Sequence, residues 1–131
     1  MSDTPLVAAQ GLSKRYTLPR SNLFARGDEI RAVDRVSFEI ETGVSLGVVG
    51  ESGCGKSTLA RLVMALERPT EGEIEILGRN LNNLDADDLR QMRRHFQMVF
   101  QDPFSALDPR HKVARIIAEP LQALQPDLDR R

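Results

Sequence analysis

A glycine-rich segment at residues 50–57 carries the strongest chemical signal in the sequence. Its residues, GESGCGKS, match the pattern G-x-x-x-x-G-K-[ST] at every fixed position. Glycines let a backbone wrap around a phosphate chain, so that its N–H groups point inward and form an anion-binding nest. In this pattern Lys56 pairs with the β- and γ-phosphates and the Ser57 hydroxyl binds Mg²⁺, while Thr58 can support the α-phosphate. The segment therefore predicts a loop that holds Mg-ATP.

The elements on either side of this loop determine whether the match is more than a glycine-rich turn. Residues 44–49 form an almost continuous apolar run, which predicts a strand buried on both faces, as in a parallel sheet. After the loop, apolar residues recur at helical spacing, which predicts an amphipathic helix with its positive end at the phosphates. The residues of this stripe are Leu59, Leu62, Val63 and Leu66. This strand–loop–helix context favours phosphate binding over a chance match.

The rest of the chain alternates between strand-like and helix-like patterns. Strands are predicted at residues 6–9 and 14–18, with Gly11 breaking them, and at 33–40, 73–77 and 96–100. One helix should run from Asp85, its N-cap, to about Arg94, and another should start near Val113 and restart or kink at Pro120. Residues 19–30 are polar and are predicted to form an exposed loop or insertion. This order predicts an α/β domain rather than a bundle or a sandwich.

Composition excludes several classes of function for these 131 residues. The net charge is -1 and the Lys and Arg residues are scattered, which argues against a nucleic-acid partner. The chain has one cysteine, so it can form neither an intramolecular disulfide nor a cysteine-based zinc site. Its longest apolar run is far too short to span a bilayer. If the protein works at a membrane, we expect a partner to hold it there.

Residues outside the loop indicate which family of phosphate-loop proteins the sequence resembles. The stretch VVGESGCGKSTLARLVMALERPTEGEI, followed by Gln101 in MVFQDP 45 positions after Lys56, resembles the ATPase subunits of ABC transporters. The segments QDPFSALDPR and IIAEPL, together with the insertion at 19–30, are most similar to the subunits that drive oligopeptide and dipeptide importers. The resemblance covers residues 6–124. An Asn-Lys-x-Asp motif, which a GTPase would need, does not occur in the sequence.

The resemblance implies a fold and a set of domain bounds. The fold would be the P-loop NTPase core of an ABC nucleotide-binding domain at 44–131, preceded by an antiparallel β-subdomain at 1–43. The sequence contains no LSGGQ signature, no apolar strand ending in Asp-Glu and no switch histidine. We therefore expect a partial domain, truncated before the signature motif, and leave open whether it hydrolyses ATP.

The resemblance also assigns roles to individual residues. Tyr16 would stack on the adenine ring, although a half-buried strand tyrosine is the alternative. Gln101 would reach Mg²⁺ or the attacking water, although it also fits an ordinary surface glutamine. Gln101 and Lys56 would be the catalytic residues, and Ser57 and Gln101 the metal ligands. The expected cofactor-binding set is Tyr16, Gly50, Glu51, Ser52, Gly53, Cys54, Gly55, Lys56, Ser57 and Thr58.

Partners and location follow from the same resemblance. Such a subunit uses ATP binding and hydrolysis to drive the import of peptides, and lies peripherally on the cytoplasmic face of the cell membrane. Its partners would be transmembrane permease subunits, near residues 102–110, and a second ATP-binding subunit in a homodimer or heterodimer. Two alternatives stay open. In the first, the subunit drives the transport of a solute other than a peptide, such as nickel. In the second, the chain is a nucleotide-binding module that does not hydrolyse ATP.

Overall fold

The structure, a computed structural model, describes residues 4–18, 28–102 and 107–124. By its internal contacts the chain divides into two compact units, Met1–Leu84 and Asp85–Arg131. The first unit contains strands β1 (Val7–Thr17), β2 (Glu29–Ile40), β3 (Glu71–Ile76) and β4 (Arg79–Asn80), helix α1 (Lys56–Val63) and a 3-10 turn (Leu81–Asn83). The second unit contains helices α2 (Ala86–Met92) and α3 (Val113–Leu124). The mixture of sheet and helices confirms the α/β prediction.

An antiparallel sheet in the order β2-β1-β3-β4 organises the first unit. Strand β1 is central, and it pairs with β2 on one edge and with β3 on the other. Leu12 of β1, Leu62 of α1 and Ile74 of β3 are almost completely buried and form the centre of its core. The antiparallel sheet expected near the N-terminus is therefore present, and it also includes β3 and β4, which follow the glycine-rich loop.

Strand β1 is continuous, so the predicted break at Gly11 is wrong. Gly11 has a φ of 59°, and the register between β1 and β2 shifts on both sides of Leu12. The extra residues are absorbed as bulges, in which Gly11 of β1 and Arg35 of β2, with a φ of 49°, supply the left-handed backbone. Gly72 of β3 has a φ of 86°, and a Cβ there would collide with the carbonyl oxygen of Gly11. The two glycines let β1 and β3 approach closely where the bulge would otherwise separate them.

The two apolar runs predicted as strands, at residues 44–49 and 96–100, are not strands in the structure. Val49 is 93% exposed and Val99 is 95% exposed. A strand buried on both faces depends on hydrogen-bonding neighbours and on covering helices. Within the described part of the chain, no strand pairs with either run. Both runs are apolar, as the prediction required, but an apolar run forms a buried strand only when other strands pair with it.

The predicted helices form, with some corrections to their ends. Asp85 caps α2 as predicted, and its Oδ1 accepts a hydrogen bond of 2.8 Å from the Asp88 N–H. Helix α1 ends before Leu66, because Ala65 adopts a left-handed φ of 48° that stops the helical ladder. Helix α3 runs through Pro120 without the predicted restart. Pro120 is exposed, so water can reach the backbone that it leaves without a hydrogen bond.

The close approach of β1 and β3 gives a testable prediction. Gly72→Ala should lower the free energy of unfolding by about 2 kcal/mol or more, because the new Cβ adds backbone strain and a collision with the Gly11 carbonyl. Urea titration followed by circular dichroism measures the change. Gly47→Ala is the matched control, because its φ is not left-handed and a Cβ there meets open space. Equal midpoints for the two variants would contradict the role given to Gly72.

Candidate phosphate-binding site

The glycine-rich loop is a turn that leads directly into α1. The Cys54 N–H donates to the Glu51 carbonyl at 3.3 Å, and Gly53 and Gly55 have left-handed φ values of 81° and 98°. Gly55 is the N-cap of α1 and has no side chain to occupy the N–H groups of the first helical turn. Those groups and the positive end of the helix dipole are the elements that bind phosphate in proteins. The loop therefore has the backbone geometry that the motif predicted.

Strand β2 holds this loop in place. A Cβ at Gly55 would collide with the backbone carbonyl oxygen of Ala32 in β2, so the two backbones are in direct contact. A cleft of about 290 Å³ lies beside this contact, and Cys54 and Lys56 are part of its lining. Sequence reasoning assigned the support of the loop to residues 44–49 and missed Ala32. The only signal in the sequence for this contact is the glycine at position 55, because a glycine allows another backbone to approach closely.

The Lys56 side chain folds back across the loop. Its Nζ donates to the carbonyls of Gly50 at 2.7 Å and Glu51 at 2.6 Å, and lies 3.6 Å from the Cys54 Sγ. A Cβ at Gly50 would lie only 2.7 Å from that sulfur, so the loop closes tightly around Cys54. Hydrogen bonds between an ammonium and a phosphate are stronger than those to neutral carbonyls. A phosphate arriving at the loop can therefore draw Lys56 away from its present partners.

The other predicted residues of the loop differ in exposure. Ser57, in the first turn of α1, is exposed, and Thr58 is half-buried. Glu51, Ser52 and Gly53 are exposed at the tip of the turn. Within the described residues, no group of three or more His, Cys, Asp or Glu side chains is placed to hold a metal ion. A metal at this loop would need ligands from a bound phosphate in addition to the Ser57 hydroxyl.

Tyr16 lies in β1 and is half-buried, next to the segment that follows α1. Its hydroxyl donates a 2.6 Å hydrogen bond to the Glu67 Oε2, and the Lys14 Nζ lies 5.3 Å from the centroid of its ring. The hydrogen bond to Glu67, followed by burial, raises the pKa of Tyr16 above its ordinary value, and the neighbouring Thr58 hydroxyl lowers it in part. The structure thus brings Tyr16 close to Thr58 of the predicted site. Sequence reasoning gave no signal for Glu67 or Lys14.

Gln101 belongs to the second unit, where it is exposed and follows the irregular run 96–100. Its assignment to Mg²⁺ and to the attacking water remains a prediction. Of the segment 102–110, residues 103–106 lie outside the described residues. At its other end, Arg110 donates to both carboxylate oxygens of Asp108, and these hydrogen bonds lower the pKa of Asp108. None of the described helices is long and apolar enough to cross a membrane.

Comparisons with curated proteins find relatives that share most of this chain. It is 46% identical over 119 residues to the dipeptide transport ATP-binding protein DppF of Haemophilus influenzae, covering 91% of this chain and 36% of that protein. It is 51% identical over 110 residues to the oligopeptide transport ATP-binding protein AppF of Bacillus subtilis, covering 82% of this chain and 33% of that protein. The chain spans about a third of the length of the curated relatives it matches.

Solved structures show the same fold. A dimeric bacterial ABC transporter cassette aligns with a TM-score of 0.73 at 28% identity, covering 90% of this chain and 47% of that chain. A dimeric ATP-binding cassette in a post-hydrolysis state, bound to ADP and Pi, aligns with a TM-score of 0.58 at 33% identity, covering 67% of this chain and 35% of that chain. The family model described as ABC transporter matches residues 33–129. The matched range includes the glycine-rich loop at 50–57, and the chain belongs to the ABC transporter family.

Proposed function

We propose that this chain is the nucleotide-binding part of a subunit that couples ATP binding and hydrolysis to the import of peptides across a membrane. The observation that carries the proposal is the loop at 50–57, whose left-handed glycines and uncapped helix N-terminus support the binding of a phosphate chain. Peptide as the solute is supported by the printed names of the relatives, dipeptide and oligopeptide transport ATP-binding proteins. ADP and Pi in one related cassette support nucleotide as the ligand.

In this proposal the loop binds the phosphates in two steps. The exposed N–H groups at the start of α1 receive the phosphate oxygens first, because no side chain caps them. Lys56 then exchanges the carbonyls of Gly50 and Glu51 for the β- and γ-phosphates. Thr58 lies two residues after Lys56 in α1 and is assigned to the α-phosphate. Glu51, Ser52, Gly53, Cys54 and Gly55 are assigned backbone contacts to the phosphates.

Mg²⁺ fits this site as a companion of the nucleotide. Mg²⁺ is usually bound by one or two protein oxygens together with substrate phosphates and water, not by an all-protein cage. The exposed Ser57 hydroxyl beside the loop supplies one such oxygen, and Gln101 is proposed as a second ligand. When bound, the ion would neutralise charge on the β- and γ-phosphates. This chain's own residues bind and orient the nucleotide, and hydrolysis is assigned to the complete subunit, with Gln101 positioning the attacking water.

The proposed partners are transmembrane permease subunits and a second ATP-binding subunit. The dimeric state of the related cassettes supports the second of these, and the transport names of the relatives support the first. The segment 102–110 is proposed to lie near the permease surface. The proposal places the subunit peripherally, on the cytoplasmic face of the membrane, where ATP is available.

The phosphate loop gives a prediction about affinity. Lys56→Ala should weaken Mg-ATP binding by about tenfold or more, because a charge-assisted hydrogen bond is worth about 1.5–3 kcal/mol. Calorimetric titration of the whole chain measures the dissociation constant. Lys112→Ala is the matched control, because Lys112 is an exposed lysine of the other unit. Equal affinity of the two variants, or no binding by the unmodified chain, would contradict the proposal.

A second prediction uses Cys54, the single cysteine of the sequence, which is exposed within the loop. Complete labelling with a maleimide should abolish Mg-ATP binding, because the added group fills the space between Gly50 and Lys56. Fluorescence of a nucleotide analogue can follow the binding. A Cys54→Ser chain treated with the same reagent should retain its affinity. Unchanged Mg-ATP binding by the fully labelled chain would contradict the prediction, because it would show that the nucleotide does not need the space next to Cys54.

A further inference from the structure

The carboxylate of Glu67 makes contacts that nothing in its sequence context indicated. It follows α1, and its side chain is 25% exposed. One oxygen, Oε2, accepts the Tyr16 hydroxyl at 2.6 Å and lies 3.4 Å from the Lys14 Nζ. The other oxygen, Oε1, lies 3.6 Å from the Arg61 Nη1. Both oxygens of this carboxylate therefore have partners, and Oε2 accepts its hydrogen bond from the Tyr16 hydroxyl.

Lys14 is fixed on the same side of β1 as Tyr16, because the two residues are two positions apart in a strand. Its Nζ also donates to the Arg68 carbonyl at 2.8 Å, next to Glu67 in the chain. The ammonium sits over the ring of Tyr16, at 5.3 Å from the centroid, which is the geometry of a cation–π contact. One face of the ring is thus occupied, and a flat ligand has only the opposite face on which to stack.

We propose that Glu67 and Lys14 are positioning residues, which hold the Tyr16 ring as a one-faced stacking surface for the base of the bound nucleotide. This inference rests on the proposed function of the loop. Two rotatable bonds give an unrestrained tyrosine ring several orientations, whereas a hydrogen bond at its tip and a cation over one face select a single orientation. Because Thr58 adjoins both Tyr16 and the phosphate loop, a nucleotide held by its phosphates brings its base near this ring.

The ionisation of the pair is consistent with this role. The hydrogen bond from Tyr16 lowers the pKa of Glu67, burial opposes this in part, and the neighbouring Lys14 ammonium lowers it further. The same hydrogen bond raises the pKa of Tyr16. At neutral pH the tyrosine therefore stays protonated and donates, and the glutamate stays ionised and accepts. The ring therefore keeps its hydrogen bond to Glu67 at neutral pH.

The composition of the chain makes a direct experiment possible, since Tyr16 is its only tyrosine and it has no tryptophan. Binding of Mg-ATP and of Mg-tripolyphosphate, which has no base, is compared by calorimetry in Glu67→Ala and in the unmodified chain. Glu67→Ala should weaken ATP binding by about three- to tenfold, the size of one aromatic stack. Its affinity for tripolyphosphate should not change. Quenching of the Tyr16 fluorescence by ATP should fall in parallel, and the tyrosine should titrate at lower pH.

Two further variants separate positioning from general support of the fold. Glu71→Ala removes a glutamate that pairs with Arg15 at 2.6 Å without touching Tyr16, and should leave both affinities unchanged. Glu67→Gln keeps an oxygen that can accept the Tyr16 hydroxyl, and should recover most of the ATP affinity. Tyr16→Phe removes the hydroxyl but keeps the ring, so adding Glu67→Ala to it should not change the ratio of the two affinities further.

Three results would overturn the inference. An equal loss of ATP and tripolyphosphate binding in Glu67→Ala would mean that Glu67 supports the loop and not the ring. Unchanged ATP affinity in a variant whose tyrosine titration has moved would mean that the orientation of the ring does not matter. Failure of the unmodified chain to bind ATP would overturn the proposed function itself, and this inference with it, so the two failures are distinguishable.

Discussion

The pairing of β1 along both of its edges is the constraint on which the rest of the first unit depends. A central strand must satisfy its backbone N–H and C=O groups on two sides, and here β2 and β3 do so. Strand β2 then places Ala32 against Gly55, which fixes the phosphate loop. On the other edge, the Thr70 N–H donates to the Ser13 carbonyl at 2.8 Å, which fixes the segment after α1. The start of α1 is thereby tied to β2 and the segment after it to β1, and these two strands are paired with each other.

This arrangement explains how distant parts of the sequence come together around α1. Tyr16 needs no long-range contact of its own to reach α1, because β1 already passes beside the segment that follows that helix. Close backbone contacts at Gly55 and Gly72 make the placement firm, because a side chain at either position would force the neighbouring elements apart. The glycines of the phosphate loop thus serve two different purposes. Gly53 and Gly55 adopt left-handed conformations that turn the loop, and Gly55 also allows the loop to contact its supporting strand.

Local signals in the sequence were enough to predict much of this architecture. The loop at 50–57, the start of α1 and the Asp85 cap all depend on interactions between residues a few positions apart, and all three are present. The strand character of residues 33–40 was also correct, because apolar and polar residues alternate there. Interactions of this kind can be recognised from spacing and residue type alone.

The errors arose where the outcome depends on distant partners. Glycine is typical of a strand break, so Gly11 was predicted to interrupt β1. In the structure β3 pairs with β1 on both sides of Gly11, and Gly72 of β3 lies against the Gly11 carbonyl. Residues 44–49 have the composition of a buried strand, but within the described part of the chain no strand pairs with them. Glu67 escaped notice because a glutamate after a helix usually has no particular partner. Its importance comes from Tyr16, which lies 51 positions earlier in the chain.

The sheet is built entirely from residues 7–80, which has a consequence for synthesis. Protein chains leave the ribosome from the N-terminus, and a structural unit can fold as soon as its last residue has emerged. The four strands, α1 and the contact between Tyr16 and Glu67 can therefore assemble before α2 and α3 have emerged from the ribosome. At that stage the exposed apolar residues at 44–49 already project from a folded unit. The loop at 50–57 would then lie against its supporting strand β2 while the second unit is still emerging.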